Sequence, residues 1–308
     1  MKYAILFPGQ GAQEVGMCAD ARAAYPDLCG QGADAALGWA LDSLIAEGPI
    51  ERLTETQHAQ PALFAVSFAL WTEFSANVAV RPSAAAGHSL GEYTALAASG
   101  TLGYFDGLAL VAKRGEAMAA AAQTVDTGMA ALLGADLEKA QEVVAARERL
   151  GGNLTVANIN APGQVVVAGD MDDLGWLEVH ARELGVRRAI RLNVAGAFHS
   201  PFMQPAADAL EQAIADISFG ASSFPVYANA TAAPTRDPAS VLVTQLTAPV
   251  RFAESLGAIA ADGVDTFVHI GPGDVTAGLV KRTVKGAEVK VISSIEQART
   301  VAGELSVQ

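Results

Sequence analysis

Short apolar stretches alternate with longer alanine-rich stretches along this chain. Five short ones have the length of buried strands and carry glycine, proline, serine or asparagine at or near their ends: YAILFPG (3–9), AAAGHS (84–89), FPVYANA (224–230), DTFVHIGPG (265–273) and VKVISS (289–294). The longer stretches predict helices, among them PALFAVSFALWTEF (61–74) and GLALVAKRGEAMAAAA (107–122). This alternation is typical of an α/β sheet covered by helices.

The middle of the chain has a different order of elements. MAALLGAD (129–136) predicts a strand, and residues 137–150 predict a helix. Residues 153–170 predict two strands joined by an Asn/Pro/Gly turn. A second helix over 172–184 and a last strand over 187–194 complete the order βαββαβ, which is the ferredoxin-like split pattern.

The pattern predicts two subdomains with a cleft between them. We expect a large α/β catalytic subdomain, residues 1–126 and 197–308, and an inserted ferredoxin-like small subdomain, residues 127–196. A chain of 308 residues with 51% hydrophobic and 17% charged residues can bury a core of this size.

Charge limits the partners that the protein can have. A net charge of −13 argues against nonspecific nucleic-acid binding. An anionic ligand would need local basic contacts. Two clusters are candidates for such contacts: Arg187, Arg188 and Arg191, and Lys281, Arg282 and Lys285.

Cysteines and apolar runs indicate the compartment. Cys18 and Cys29 lack the spacing of a metal site, and we expect both to be reduced thiols. No apolar run reaches the length that spans a bilayer, and MKYAILFPGQG has proline and glycine where a signal peptide continues its apolar region. We therefore expect a cytoplasmic protein with no metal and no membrane partner.

The segment Gly87-His88-Ser89-Leu90-Gly91 joins a predicted strand to a predicted helix. A Gly-x-Ser-x-Gly sequence in that position is typical of a nucleophile elbow. Small flanking residues let the strand and helix approach closely, and the helix N-terminus favours developing negative charge at the hydroxyl. The motif predicts that Ser89 is a nucleophile and that the Leu90 N–H is an oxyanion donor. A purely structural turn is the alternative.

A second glycine-rich turn, FPGQGAQ (7–13), follows the first predicted strand. It lacks the lysine of a Walker loop and the glycine spacing of a dinucleotide fingerprint. In an α/β sheet this loop and the elbow lie at the same edge, the carboxyl ends of the strands. We expect the backbone N–H of Gln10 to be the second oxyanion donor, with a plain tight turn as the alternative.

A serine nucleophile needs a base within hydrogen-bond reach. Three of the five histidines are poor candidates, because they lie at a helix start, inside the elbow or on the small-domain helix: His58, His88 and His180. The residues alone do not decide whether the base is His199, in GAFHSPFM, or His269, in FVHIGPG. The usual order of an α/β-hydrolase, with a late histidine, would favour His269 with Asp265.

The chain resembles the malonyl-CoA:acyl-carrier-protein transacylases, and the acyltransferase domains of polyketide synthases share most of the same motifs. The motifs occur here in the family's order: FPGQGAQ, GHSLGEY, ANINAPGQVVVAG, GAFHSPFM, QLTAPVRF and HIGPGDVTAGLVKR. The resemblance covers essentially the whole chain. It implies an α/β-hydrolase-like large subdomain and agrees with the inserted ferredoxin-like unit.

The resemblance also implies roles for individual residues. Ser89 matches the family's nucleophile and His199 its general base, which decides against His269. Gln245, in QLTAPV, matches a glutamine whose backbone carbonyl supports the histidine, so that the catalytic unit is a Ser–His dyad. Gln10 matches a backbone donor of the oxyanion hole, as Leu90 does.

Three residues bear on the acyl group that the resemblance implies. Arg114, in LVAKRGEAM, matches the arginine that pairs with the malonyl carboxylate, and a guanidinium binds a carboxylate through two hydrogen bonds. Members that use malonyl units are similar to this chain in having an aliphatic residue at Leu90 and a phenylalanine at Phe198. Phe198 should crowd the α-carbon, so that a methyl branch is disfavoured by about 1–3 kcal/mol.

The implied reaction moves a malonyl group from malonyl-CoA, through a malonyl-serine ester, to the phosphopantetheine thiol of an acyl carrier protein for fatty-acid synthesis. Malonyl-CoA is a substrate, and no permanently bound cofactor is expected. A discrete trans-acting acyltransferase of a polyketide synthase is one alternative. A serine hydrolase or thioesterase that uses His269 is another. We expect a monomer.

Overall fold

The computed structural model describes residues 2–307. Its strands, in chain order, are β1 Tyr3–Phe7, β2 Ala84–Gly87, β3 Thr127–Leu133, β4 Thr155–Ala161, β5 Gln164–Asp170, β6 Arg188–Arg191, β7 Val226–Tyr227, β8 Thr266–Ile270 and β9 Glu288–Ile292. Its α-helices are α1 Ala19–Ala24, α2 Pro26–Cys29, α3 Gln31–Leu37, α4 Leu41–Glu47, α5 Ile50–Thr54, α6 Thr56–Asn77, α7 Gly91–Ala98, α8 Tyr104–Ala122, α9 Leu137–Glu148, α10 Met171–His180, α11 Gln204–Ile214, α12 Pro238–Thr247, α13 Phe252–Ala261, α14 Val275–Thr283 and α15 Ile295–Val307.

A parallel sheet of five strands, in the order β7-β2-β1-β8-β9, forms the centre of the larger part. All five residues of β1 are buried and apolar, because helices cover both faces of the sheet. Ile5 and Phe7 pack into a core with α6, α7, α8 and α15, whereas Ala4 and Leu6 pack against α13 and α14. Phe7 is paired with Gly87, so that the carboxyl ends of β1 and β2 lie side by side.

A separate antiparallel sheet, in the order β4-β5-β3-β6, is built from residues between Thr127 and Arg191. The order strand, helix, strand, strand, helix, strand that the sequence predicts is present in this stretch. One face of the sheet packs on α9 and α10 around Leu132 and Val167. The other face, including Met129 and Val166, packs into the large core. This second contact puts the small sheet against the edge that carries the loops after β1 and β2.

Hydrogen bonds tie the antiparallel sheet to the larger part of the protein. The N–H of Ile159 in β4 donates to the carbonyl of Val250 at 2.8 Å, and the Val250 N–H donates to Ala157 O at 2.9 Å. At the end of α14, Arg282 donates to Pro162 O at 3.2 Å and to the side chain of Gln164. The antiparallel sheet is therefore linked to the larger part through the segment before α13 and through α14.

Several predicted elements are shorter in the structure, and others were not predicted. The strand predicted over 224–230 is reduced to Val226–Tyr227, because the chain turns after Ala228, where Ala232 N–H donates to Ala228 O at 2.8 Å. The helix predicted over 172–184 ends at His180. The short helices α1–α5 had no clear periodic signal. No helix within residues 2–307 is both long enough and apolar enough to cross a membrane.

Candidate active site

Ser89 lies in a sharp turn between β2 and α7, with a backbone φ of 51°. This left-handed conformation is unfavourable for a residue with a side chain. The flanking glycines make the turn possible. A Cβ on Gly87 would lie 1.8 Å from the carbonyl carbon of Gly91, and one on Gly91 would lie 2.3 Å from Phe7 O. The turn therefore has the geometry of a nucleophile elbow.

His199 contacts the hydroxyl of Ser89. Its Nε2 lies 2.7 Å from Ser89 Oγ, and its Nδ1 lies 2.8 Å from the backbone carbonyl of Gln245. A carbonyl oxygen can only accept a hydrogen bond, so Nδ1 carries the proton and Nε2 is left as the acceptor for the serine hydroxyl. The arrangement is suited to deprotonating Ser89.

The surroundings keep His199 neutral. Burial, together with a smaller effect of the positive charge of Arg114, lowers the pKa of His199 to about 3, although the carbonyl of Gln245 acts in the opposite direction. At neutral pH the imidazole is therefore in the form that accepts a proton.

Arg114 on α8 lies beside the same hydroxyl and is 1% exposed. Its guanidinium donates to Ser89 Oγ at 3.0 Å, to Gln245 Oε1 at 2.8 Å and to Gln60 Oε1 at 2.8 Å, and it lies over the ring of Tyr93. None of the ion pairs formed within residues 2–307 includes Arg114. The side chain is thus a buried cation whose neighbours are amides and a hydroxyl.

Gln10 and Leu90 line the same cleft as Ser89. A Cβ on Gly9 would lie 2.4 Å from His88 O, so the loop after β1 touches the elbow. Within the part of the chain from residue 2 to residue 307, no group accepts a hydrogen bond from the backbone N–H of Gln10 or Leu90. Both amides are available to a ligand, as oxyanion donors must be.

A cleft of about 270 Å³ opens above Ser89 and lies between the two sheets. The large part contributes residues that include Gln10, Arg114 and Phe198. The antiparallel sheet contributes Met129, Asn158, Asn160 and Val166. Phe198 is 6% exposed and forms part of the wall next to His199.

The remaining histidines make other contacts. His269 is buried in β8, where Nδ1 bonds to Thr276 Oγ1 at 2.6 Å, and it is not among the residues that line the cleft. His88 bonds to Asn160 Oδ1 at 2.7 Å. His58 lies 3.0 Å from Glu55 at the start of α6, and His180 bonds to Trp176 O at 2.9 Å. The structure therefore brings His199, and not these four, to Ser89.

Two residues that sequence reasoning missed complete the network around Ser89. The side chain of Asn229 accepts from the Ser89 N–H at 2.7 Å and donates to Gly87 O at 2.7 Å. Glu92, which is fully buried in the first turn of α7, accepts from Gln245 Nε2 at 2.6 Å and from the Asn229 N–H at 3.1 Å. An acidic residue in the otherwise apolar stretch after the elbow was the only signal for Glu92.

The part of the chain that the structure describes offers no clear metal site. No cluster of three or more histidine, cysteine, aspartate or glutamate side chains that could hold a metal ion occurs within residues 2–307. Cys18 and Cys29 are free thiols.

Comparisons with known proteins agree with this geometry. Residues 5–305 match the family model described as the acyl transferase domain. The chain is 40% identical over 300 residues to the malonyl CoA-acyl carrier protein transacylase of Bacillus subtilis, covering 96% of this chain and 94% of that protein. It is 39% identical over 306 residues to the polyketide biosynthesis protein ThaF of Burkholderia thailandensis, covering 99% of this chain and 26% of that protein.

Solved structures of malonyl transacylases also superimpose closely on this chain. The malonyl CoA-acyl carrier protein transacylase of Coxiella burnetii superimposes with a TM-score of 0.93 at 34% identity, covering 99% of this chain and 98% of that one. A malonyl-transacylase in complex with its holo type II polyketide acyl-carrier protein superimposes with a TM-score of 0.92 at 34% identity, covering 99% of this chain and 100% of that one.

Proposed function

This chain belongs to the acyl transferase domain family, and we propose from that premise that it transfers malonyl groups from malonyl-CoA to an acyl carrier protein. The reaction supplies malonyl units for fatty-acid synthesis. Relatives that carry the name of this activity match nearly the full length of both chains, which favours it over the alternatives.

The observation that carries the substrate assignment is the surroundings of Arg114. Its guanidinium is buried 3.0 Å from the hydroxyl of Ser89 and has no ion-pair partner within residues 2–307. Burying a cation without an opposite charge is costly, so the site favours a ligand that brings a carboxylate. A malonyl group has a carboxylate two bonds from its thioester carbonyl carbon, and this short separation matches an arginine adjacent to the nucleophile.

In the first half-reaction Ser89 attacks the thioester. His199 Nε2 takes the proton from Ser89 Oγ as Oγ bonds to the carbonyl carbon. The backbone N–H groups of Gln10 and Leu90 stabilise the oxyanion that forms. The carbon–sulfur bond then breaks, and the imidazolium returns the proton to the sulfur, so that free coenzyme A leaves a malonyl ester on Ser89.

The second half-reaction is the reverse process with a different thiol. His199 takes the proton from the phosphopantetheine thiol of the carrier, and the sulfur attacks the ester carbonyl. Collapse of the intermediate breaks the bond to Ser89 Oγ, which recovers the proton from the imidazolium. The Gln245 carbonyl holds His199 in one tautomer throughout. No bound cofactor takes part in either step.

Phe198 is proposed to select the acyl group. It packs beside His199 in the cleft wall, and a methyl branch on the α-carbon would have to displace the ring. Such a contact supports a preference of about 1–3 kcal/mol for malonyl over methylmalonyl groups.

Basic residues near α14, a helix whose Val275 and Leu279 line the cleft, are proposed to contact the phosphates of coenzyme A and the carrier. Lys281 and Lys285, at and after the end of α14, are exposed and belong to no ion pair formed within residues 2–307. Arg191 is engaged elsewhere, with two hydrogen bonds of 3.0 Å to Glu178, and Arg282 is bonded to the β4–β5 turn. Arg187 and Arg188 are likewise exposed and belong to none of the ion pairs formed within residues 2–307. These two arginines and the two lysines are therefore the better contacts.

The proposed architecture is an α/β-hydrolase-like catalytic subdomain, residues 1–126 and 197–308, interrupted by a ferredoxin-like subdomain over 127–196. The elbow between β2 and α7 supports the first assignment. The strand order β4-β5-β3-β6 in an antiparallel βαββαβ unit supports the second. We further propose that the protein works in the cytoplasm, which its two free cysteines support.

Intact-protein mass spectrometry after brief mixing with malonyl-CoA tests the function. The wild-type protein should gain one malonyl group, the Ser89→Ala variant should gain none, and the adduct should disappear when holo acyl carrier protein is added. Release of free malonate without an accumulating adduct would instead indicate a hydrolase.

A further inference from the structure

The buried carboxylate of Glu92 takes no part in the chemistry described above, although it is one hydrogen bond away from residues that do. Its Oε2 accepts from Gln245 Nε2 at 2.6 Å and from the Asn229 N–H at 3.1 Å. Its other oxygen has no hydrogen-bond partner. A buried acidic side chain is costly to keep, so its position beside this network requires an explanation.

The side-chain amide of Gln245 connects Glu92 to the substrate site. Its Oε1 accepts from Arg114 Nη2 at 2.8 Å, and its Nε2 donates to Glu92 Oε2 and to Ser89 O, the latter at 3.0 Å. An amide has a donor end and an acceptor end, and the two can exchange by a half-turn of the side chain. The reversed amide would direct its N–H groups at the guanidinium of Arg114, which is also a donor.

We infer that Glu92 is a positioning residue that holds the amide of Gln245 in one orientation, so that Arg114 is bound by an amide oxygen and stays available to a substrate carboxylate. Oε2 accepts in both protonation states, because a proton would go to the unbonded oxygen. Gln245 also lies between Glu92 and Arg114, so that the two side chains form no ion pair and the guanidinium is left for a substrate carboxylate. The inference rests on the proposed function for the identity of that carboxylate.

The test compares two substitutions with two acyl donors. Glu92→Met has a similar shape but removes the acceptor, whereas Glu92→Gln keeps a carbonyl oxygen that can accept from Gln245. Malonyl-CoA requires Arg114, and p-nitrophenyl acetate, which has no carboxylate, requires only the dyad and the oxyanion hole. For each combination of variant and acyl donor, the rate at which Ser89 is acylated is measured by intact-protein mass.

Glu92→Met should lower kcat/KM for malonyl-CoA by roughly 10- to 100-fold, mainly through KM, because a hydrogen bond to a charged group is lost. Acylation by p-nitrophenyl acetate should change by less than about threefold, and Glu92→Gln should restore most of the malonyl activity. Equal losses with both donors, or no loss with either, would overturn the inference. Absence of a malonyl adduct in the wild-type protein would instead contradict the proposed function.

If Glu92→Met does not fold, a measurement on the wild-type protein tests whether Glu92 positions the Gln245 amide. Burial raises the pKa of Glu92 to about 7. The side-chain amide resonances of Gln245, followed by NMR through about two pH units around neutrality, should move as the carboxylate ionises. Resonances that do not move would overturn the inference.

The other ionisable groups near this network do not titrate in that range. Burial raises the pKa of Tyr93 above its ordinary value, and the guanidinium of Arg114 stays charged. Burial lowers the pKa of His199 to about 3 and also lowers the pKa of His88. A change in the Gln245 resonances near neutrality would therefore report on Glu92.

Discussion

Ser89 and His199, whose side chains meet at 2.7 Å, both have a backbone in the left-handed region, with φ of 51° and 56°. For residues with a side chain this conformation costs about 1–2 kcal/mol. Two such residues in contact show that the surrounding structure, and not local preference, sets their positions.

Replacing Ser89 by glycine should stabilise the protein relative to replacement by alanine. Both variants remove the hydroxyl, but glycine has no Cβ to disfavour a positive φ. We expect the free energy of unfolding of Ser89→Gly to exceed that of Ser89→Ala by about 1 kcal/mol. Chemical denaturation of the two inactive variants measures the difference, and a lower stability of Ser89→Gly would show that the turn is not strained.

Replacing Arg114 by alanine should change the choice of acyl donor. A buried guanidinium–carboxylate pair contributes several times more than a surface pair, so acylation of Ser89 by malonyl-CoA should slow by about 100-fold or more. Acylation by acetyl-CoA should change by less than about tenfold. Intact-protein mass at short times gives both rates.

Lys113→Ala is the matched control for Arg114→Ala, because Lys113 is the neighbouring cation on α8 and its side chain is 67% exposed, paired with Glu116. This variant should behave as wild type with both donors. Equal loss of both activities in Arg114→Ala would contradict its role in binding the carboxylate.

Replacing Phe198 by alanine should admit a branched acyl group. The space vacated beside His199 should raise the kcat/KM ratio of methylmalonyl-CoA to malonyl-CoA by roughly 10-fold. Phe105→Ala, which changes a phenylalanine that is 48% exposed, should leave the ratio unchanged. Competition between the two donors, read by mass, gives the ratio directly, and an unchanged ratio in Phe198→Ala would remove its role in specificity.

Glu92 should make the stability of the protein depend on pH. Burial raises its pKa in the folded protein from an ordinary 4.5 to about 7. The folded state therefore binds more protons than the unfolded chain between these values, and the contribution of Glu92 is complete below the lower value and is lost as pH rises through about 7. The loss is on the order of 3 kcal/mol.

The Glu92→Gln side chain does not ionise, so this variant should lack the part of the pH dependence of stability that Glu92 contributes. Denaturant titrations of both proteins at a series of pH values should show the wild type losing stability relative to the variant as pH rises toward neutrality. Parallel curves would mean that Glu92 ionises as it does in the unfolded chain.

The local features of this site could be predicted from the sequence. Gly87 and Gly91 predict the elbow because the Gly-x-Ser-x-Gly motif is continuous in the chain and a Cβ on Gly87 would collide with the nearby backbone of Gly91. The alternation of apolar stretches predicted most of the strands of both sheets, since burial on both faces requires continuous apolar residues. The resemblance to a known family supplied the substrate, which the residues alone did not identify.

Tertiary structure decided which side chains meet. Apart from the family resemblance, the residues left His199 and His269 open, with the usual α/β-hydrolase order favouring His269. The packing of the loop after β6 brings His199, 110 positions along the chain, to Ser89. From the residues alone, Arg114 could equally lie on an exposed face of its helix near Glu116 or in a cleft. The packing of α6 against α8 buries it beside Gln60. The links from Glu92 to Gln245 and Asn229 had no local pattern, because they depend on how distant helices and loops pack and not on the preferences of neighbouring residues.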